Sequence, residues 1–265
     1  MTERRAYLTL RDLEFSVLDL ADQEIVVALQ GEDVLQLEGN RSEEGEFPPI
    51  PDPVATFVEV AKHGMLTSAE TPPWLSGAEL VDRHLERELR LLTWRVRLRR
   101  TDRRAFRVLA NLLLARTPEH ASISTTTFGG VAARRLNLGE LRYPAPFQTT
   151  PPTFPVDYEM PSRSSRDRFL QISFVRGPEA ADLDAICHGL DVWGRLPMLG
   201  GYPADDMLPW QSAAVPDGAF LLDPTTVEQA FPDVFRCDDD SYAAVINWAH
   251  VVNHSMCPVA GVLLR

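Results

Sequence analysis

The chain has 265 residues, enough to bury a sizeable core, and its 45% apolar and 24% charged composition is that of a globular domain, not a disordered one. No apolar run approaches the roughly 18 residues that span a bilayer, and Met1-Thr2-Glu3-Arg4-Arg5 opens no signal-peptide core; the expected location is the cytoplasm. A net charge of −12 excludes a surface that attracts nucleic acid throughout, yet the charge is segregated: 18 arginines stand against 8 acids between Arg83 and Arg176, and acids dominate on both sides of that stretch. The 25 arginines and single lysine (Lys62) fit a GC-rich coding bias. Cys187, Cys237 and Cys257 are too few and scattered for a disulfide framework, and the expectation is free thiols.

Along the chain, Leu13, Phe15 and Val17 alternate with polar residues, the period of a half-buried strand. Ile25–Leu29 and Val34–Leu37 read as a strand pair around Gln30-Gly31-Glu32-Asp33. Phe47–Pro53 is stiff connection, and a helix follows from Pro53 to Gly64 with Asp52 as its cap. Ser76 and Gly77 open a second short helix through about Arg90. Trp94, Val96 and Leu98 then alternate with Arg95, Arg97 and Arg99, a strand with one apolar and one cationic face. Thr101 or Asp102 caps a helix carrying Phe106, Leu109, Ala110 and Leu113, and Ser122–Phe128 is the next strand.

Beyond the proline-rich stretch Tyr143–Arg166, Phe169–Val175 reads as a strand, and Leu183, Ile186, Leu190 and Trp193 mark a helix ended by Pro197 and Gly200-Gly201. Residues 202–218 read as loop, Ala219–Leu222 as a strand, and Thr225–Ala230 as a short helix capped by Asp223. The last helix spans about Asp240 to His254 and the last strand Pro258–Leu264.

Asp102–Thr127 and Asp238–Leu263 align without gaps at an offset of 136 residues, with Phe106 on Tyr242, Leu109 on Val245, Asn111 on Asn247 and Ile123 on Val259. The fold expectation is therefore α+β: two related βαβ-containing halves of ferredoxin-like type with an N-terminal antiparallel strand region. Residues 1–142 make the N-terminal half, 143–166 a linker and 167–265 the C-terminal half. His250 falls on Leu114 and His254 on Pro118, so the echo carries no duplicated active site.

No phosphate loop, dinucleotide fingerprint, zinc-protease helix, nucleophile elbow or EF-hand loop occurs. The candidate binding residues are Arg95, Arg97 and Arg99, about 7 Å apart on one strand face, with Arg103 and Arg107 on the next helix. Such a face suits phosphates, RNA or an acidic protein surface. It holds no interleaved aromatics for base stacking, and cross-strand pairing with acids such as Glu14 is the plainer expectation. Cys237, His250, His254 and Cys257 have zinc-compatible chemistry, but the spacing supplies only part of a finger, and the histidines read as flank positions with no metal expected. Cys187 and His188, adjacent on a helix, point about 100° apart and form no local thiolate–imidazolium pair. His63, His84 and His120 read as isolated. No catalytic residue and no cofactor is expected. The leading expectation is a non-catalytic cytoplasmic protein that binds another protein, in its most concrete form a bacterial immunity or antitoxin protein facing a basic toxin. An enzyme with a dispersed site between the halves (Tyr202, Asp205, Asp206, His188, His250) and nucleic-acid or phosphate binding through Arg95, Arg97 and Arg99 are the alternatives.

Overall fold

The structure, a computed structural model, describes residues 23–30, 52–67, 71–101, 105–114, 121–127, 134–137, 151–158, 167–201, 218–232 and 239–265. The expected strands Leu13–Val17 and Val34–Leu37 and the loop 202–217 lie outside the described residues. No helix among those residues is long and apolar enough to cross a membrane.

Among the described residues, two five-stranded sheets carry the α+β architecture. The first holds β1 (Gln23–Gln30), β2 (Gly77–Glu86), β3 (Leu91–Arg99), β4 (Ala121–Thr127) and β5 (Arg134–Asn137) in the order β2-β3-β1-β4-β5. The second holds β6 (Val156–Tyr158), β7 (Asp167–Phe174), β8 (Phe220–Asp223), β9 (Thr226–Pro232) and β10 (Val259–Leu264) in the order β6-β10-β7-β9-β8. The order β2-β3-β1-β4 thus recurs as β8-β9-β7-β10, with antiparallel pairing throughout both sets. The added strands differ: β5 is antiparallel to β4, whereas β6, inside the stretch read as linker, runs parallel to β10. Helices α1 (Pro53–Lys62) and α2 (Ala105–Leu114) follow β1 and β3; α3 (Ala180–Met198) and α4 (Asp239–Ser255) follow β7 and β9.

Each sheet buries the face turned to its helices, and Thr226–Gln229 of β9 are buried on both. In the first, Ile25, Val27 and Leu29 of β1 and Leu92, Trp94, Val96 and Leu98 of β3 point to the core, where Val54 and Phe57 of α1 and Leu109, Leu112 and Leu113 of α2 meet them. In the second, Leu170, Ile172 and Phe174 lie with Val262 and Leu264 beneath Ile186, Leu190 and Trp193 of α3 and Val245, Trp248 and Val252 of α4. The period-2 and 3.6-residue patterns in the sequence are these two faces.

Two expected helices are strands. Ser76–Arg90 has the Glu/Arg content of an exposed helix, but Gly77–Glu86 pairs with β3 along its length and turns back through Arg87–Arg90, where Arg90 takes a left-handed φ of 48°. The apolar Leu80 and Leu85 pack against the core from there, so tertiary pairing overrides propensity. Thr225–Ala230 is likewise strand: β9 pairs with β7 and β8. Asp223 is a turn residue, its Oδ1 accepting from Thr225 N at 2.7 Å and Thr225 Oγ1 at 3.0 Å. Pro197 does not end α3, which runs on to Met198.

The halves are joined by a reciprocal arrangement. Helix α1 closes with Gly64 at φ 76° and Met65 N donating to Val60 O; α3 closes with Gly200 at φ 80° and Gly201 N donating to Leu196 O. Both are Schellman-type ends with glycine in the left-handed position. Each exit then presents a carbonyl to an asparagine of the other half: Asn247 Nδ2 donates to Met65 O and Thr67 O, both at 3.2 Å, and Asn111 Nδ2 donates to Gly201 O at 3.0 Å. Val60, Gly64, Met65 and Asn111 each lie 136 residues before Leu196, Gly200, Gly201 and Asn247; Thr67 has no counterpart among the described bonds.

Asn247→Ala is expected to destabilise the fold by about 1–3 kcal/mol, because two carbonyls lose their donor inside a buried junction. Gly64→Ala should cost at least about 1 kcal/mol, since a Cβ there sits 2.6 Å from Pro73 O on a left-handed backbone. Guanidinium denaturation of purified variants measures both; an unchanged midpoint for Asn247→Ala would remove the bond from the account of the junction.

Candidate functional site

The arginine face is the outer face of the first sheet. Because Trp94, Val96 and Leu98 are committed to the core, alternation forces Arg95, Arg97 and Arg99 to the opposite side. The register sets Arg95 between Val26 and Asp82, and Arg97 between Glu24 and Glu79. Arg95 Nε lies 3.3 Å from Glu24 Oε1, and Arg97 Nη1 lies 3.1 Å from Glu79 Oε2. The guanidinium side chains stay 53% and 40% exposed, so water still reaches them and each pair contributes about 0–1 kcal/mol. What the pairs do is hold two long side chains across the strands. The pairing acids are Glu24 and Glu79; Glu14, the example taken from the sequence, lies outside the described residues, as do Arg103 and the side chain of Arg107. Glu79 was hidden from the sequence reading because its segment scans as helix.

The inner side of the same strand is anchored by Asp52. Its Oδ1 caps α1 by accepting from Val54 N at 2.9 Å and Ala55 N at 3.0 Å, while Oδ2 accepts from Trp94 Nε1 at 2.9 Å and Arg83 Nε at 3.2 Å. One carboxylate thereby ties helix α1 to β2 and β3.

Among the described residues, His250, His254 and Cys257 do not converge as a metal group. His250 is buried, with its ring 5.0 Å from that of Phe154, whereas His254 is exposed and stacked on Trp74 at 3.9 Å. The Cys257 thiol donates to Arg176 O at 3.2 Å, and Cys237 lies outside the described residues. Among the described residues no three His, Cys, Asp or Glu side chains gather as a metal-binding group. Burial pushes the Cys187 thiol up, with Asp191 and Asp184 adding to the effect, which disfavours a thiolate nucleophile. Of the residues named for a site between the halves, His188 is exposed on α3 and His250 is buried on α4; Tyr202, Asp205 and Asp206 lie outside the described residues.

His63 is not isolated. It caps α1 at the junction, its ring centroid 5.4 Å from that of His188 and 5.0 Å, edge-on, from that of Trp248. Trp248 lies close over Gly189, where a Cβ would fall 2.4 Å from the indole. His63 Nδ1 lies 2.6 Å from Glu59 O; a carbonyl only accepts, so Nδ1 carries the proton and Nε2 keeps its lone pair. The sequence offered no signal for this cluster, since its members are 125 and 185 positions from His63, at His188 and Trp248.

Comparison of the chain with protein-family models, with curated proteins and with solved structures returns no match.

Burial holds the His63 pKa below the ordinary histidine value, opposed by the Glu59 carbonyl and reinforced by His188. A depressed basic group binds protons more readily in the unfolded chain, so its contribution to stability is full above the unfolded value of about 6.5 and is lost as pH falls through the lower folded value. Denaturation midpoints measured between neutral and mildly acidic pH should fall less steeply for His63→Gln than for the parent chain; parallel curves would assign the acid sensitivity elsewhere.

Proposed function

We propose that this is a non-catalytic cytoplasmic protein whose work is to bind another protein on the open face of the first sheet, with a bacterial immunity or antitoxin role as the most concrete form. The observation that carries the reading is the arginine face: Arg95 is exposed and Arg97 half-buried, each tethered by Glu24 or Glu79, so opposite charges are presented in a fixed pattern on the sheet. Fixed charge of both signs selects a partner by complementarity and loses little side-chain entropy on docking. The same pairing weighs against nucleic acid, because carboxylates beside the guanidinium groups repel phosphate. The overall charge of −12 suits a basic partner and long-range steering toward it.

The scaffold behind this face reads as two copies of one ferredoxin-like unit. Support comes from the shared strand order, from the matching helix ends at Gly64 and Gly200, and from the asparagine bonds that run in both directions across the junction. In the first half the helices occupy the inner side of the sheet, and on its outer side Arg95 and Arg99 are exposed.

The test is calorimetric or two-hybrid binding to the product of the adjoining gene, with an Arg95→Glu/Arg97→Glu variant alongside. The reading expects a protein complex that the variant weakens by at least about tenfold, the loss of two charge pairs at an interface. Undiminished binding by the variant would move the interface elsewhere. Affinity for RNA or DNA falling steeply with salt would replace the protein partner with nucleic acid.

A further inference from the structure

We propose that His63 and His188 form a binding site for a divalent transition-metal ion of the zinc, nickel and copper class, set at the junction between the two halves. Three observations converge on it. The ring centroids stand 5.4 Å apart with planes tilted by 53°. Two imidazoles on one tetrahedral ion, with metal–nitrogen bonds of about 2.0–2.1 Å, place their centroids about 5 Å apart, so the ion fits with small ring rotations. Next, His63 Nδ1 donates to Glu59 O, which fixes the tautomer that leaves Nε2 as a ligand; metal-bound histidines characteristically hold their second nitrogen in this way. Finally, the indole of Trp248 meets the His63 ring edge-on at 5.0 Å, and the absence of a side chain at Gly189 admits it, so the imidazole is oriented by packing before any ion arrives.

The surroundings favour a cation. Asp184 lies one helical turn before His188 and Asp191 three residues after it, although Asp191 Oδ1 is already committed to Ala219 N at 2.9 Å. Lys62, the neighbour of His63, is exposed and paired with Glu59 at 3.6 Å. No third protein ligand joins the two histidines among the described residues, so water completes the coordination and the site is of modest affinity. One ligand comes from the end of α1 and one from α3, so the bound ion bridges the halves; it ties together the elements whose exits the asparagines also hold.

The experiment is titration of the full chain with zinc chloride and, separately, nickel chloride, followed by calorimetry and by thermal denaturation. The expected result is one ion per chain and a melting temperature that rises with metal concentration, since the ion binds only the folded arrangement. His188→Ala, an exposed position, should weaken binding by at least about tenfold and abolish the rise. His63→Ala should do the same, and circular dichroism will show whether that partly buried substitution still folds. His254→Ala, away from the pair, should bind as the parent does. The proposal is overturned if the parent chain takes up neither ion at millimolar concentration, or if His188→Ala binds as tightly as the parent.

Discussion

The buried carbonyls at the ends of α1 and α3 set the terms for the rest of the structure. A Schellman end releases the chain into the interior with backbone acceptors that no helix satisfies, and leaving one unpaired there costs about 1–3 kcal/mol. Here each acceptor is met from the opposite half: Met65 and Thr67 by Asn247, Gly201 by Asn111. The halves therefore cannot be regarded as beads on a string. Neither helix end is complete without the other half's asparagine, and the glycines that permit the turns, Gly64 and Gly200, leave no room for alternatives.

That constraint turns the helices inward. Once α1 and α3 are held at a shared junction, the sheets cover the apolar sides of their own helices; the outer face of the first keeps Arg95 and Arg99 exposed, whereas Thr226 and Glu228 on the second are buried. The alternation of β3 then fixes the arginine face: Trp94, Val96 and Leu98 point to the core, so the arginines between them have one place to go. Asp52 reinforces this from behind, by capping α1 and receiving the Trp94 indole with one carboxylate. The arginine face and the core are thus two sides of the same strand.

The junction also gathers chemistry that has no place in the sheet faces. His63, His188 and Trp248 come from α1, α3 and α4, and they share space because the asparagine bonds bring those helices together. Burial at this point keeps His63 neutral near neutral pH, the state in which an imidazole can serve as a ligand.

The sequence by itself determined the α+β class, the capped helix at Pro53, the arginine strand, and the terminal helix and strand, because these segments carry unambiguous periods or caps over their own length. It also aligned Asn111 with Asn247, but as apolar-face neighbours and not as hydrogen-bond donors. Only the tertiary structure decided that Gly77–Glu86 and Thr226–Pro232 are strands, since neither shows a clean period of its own and the deciding bonds come from β3 and β7. It alone named Glu24 and Glu79 as the arginines' partners and joined His63 to His188. Local pattern records which face a residue presents; what waits on the other side of that face is set by packing between segments far apart in the chain, and no window along the sequence contains it.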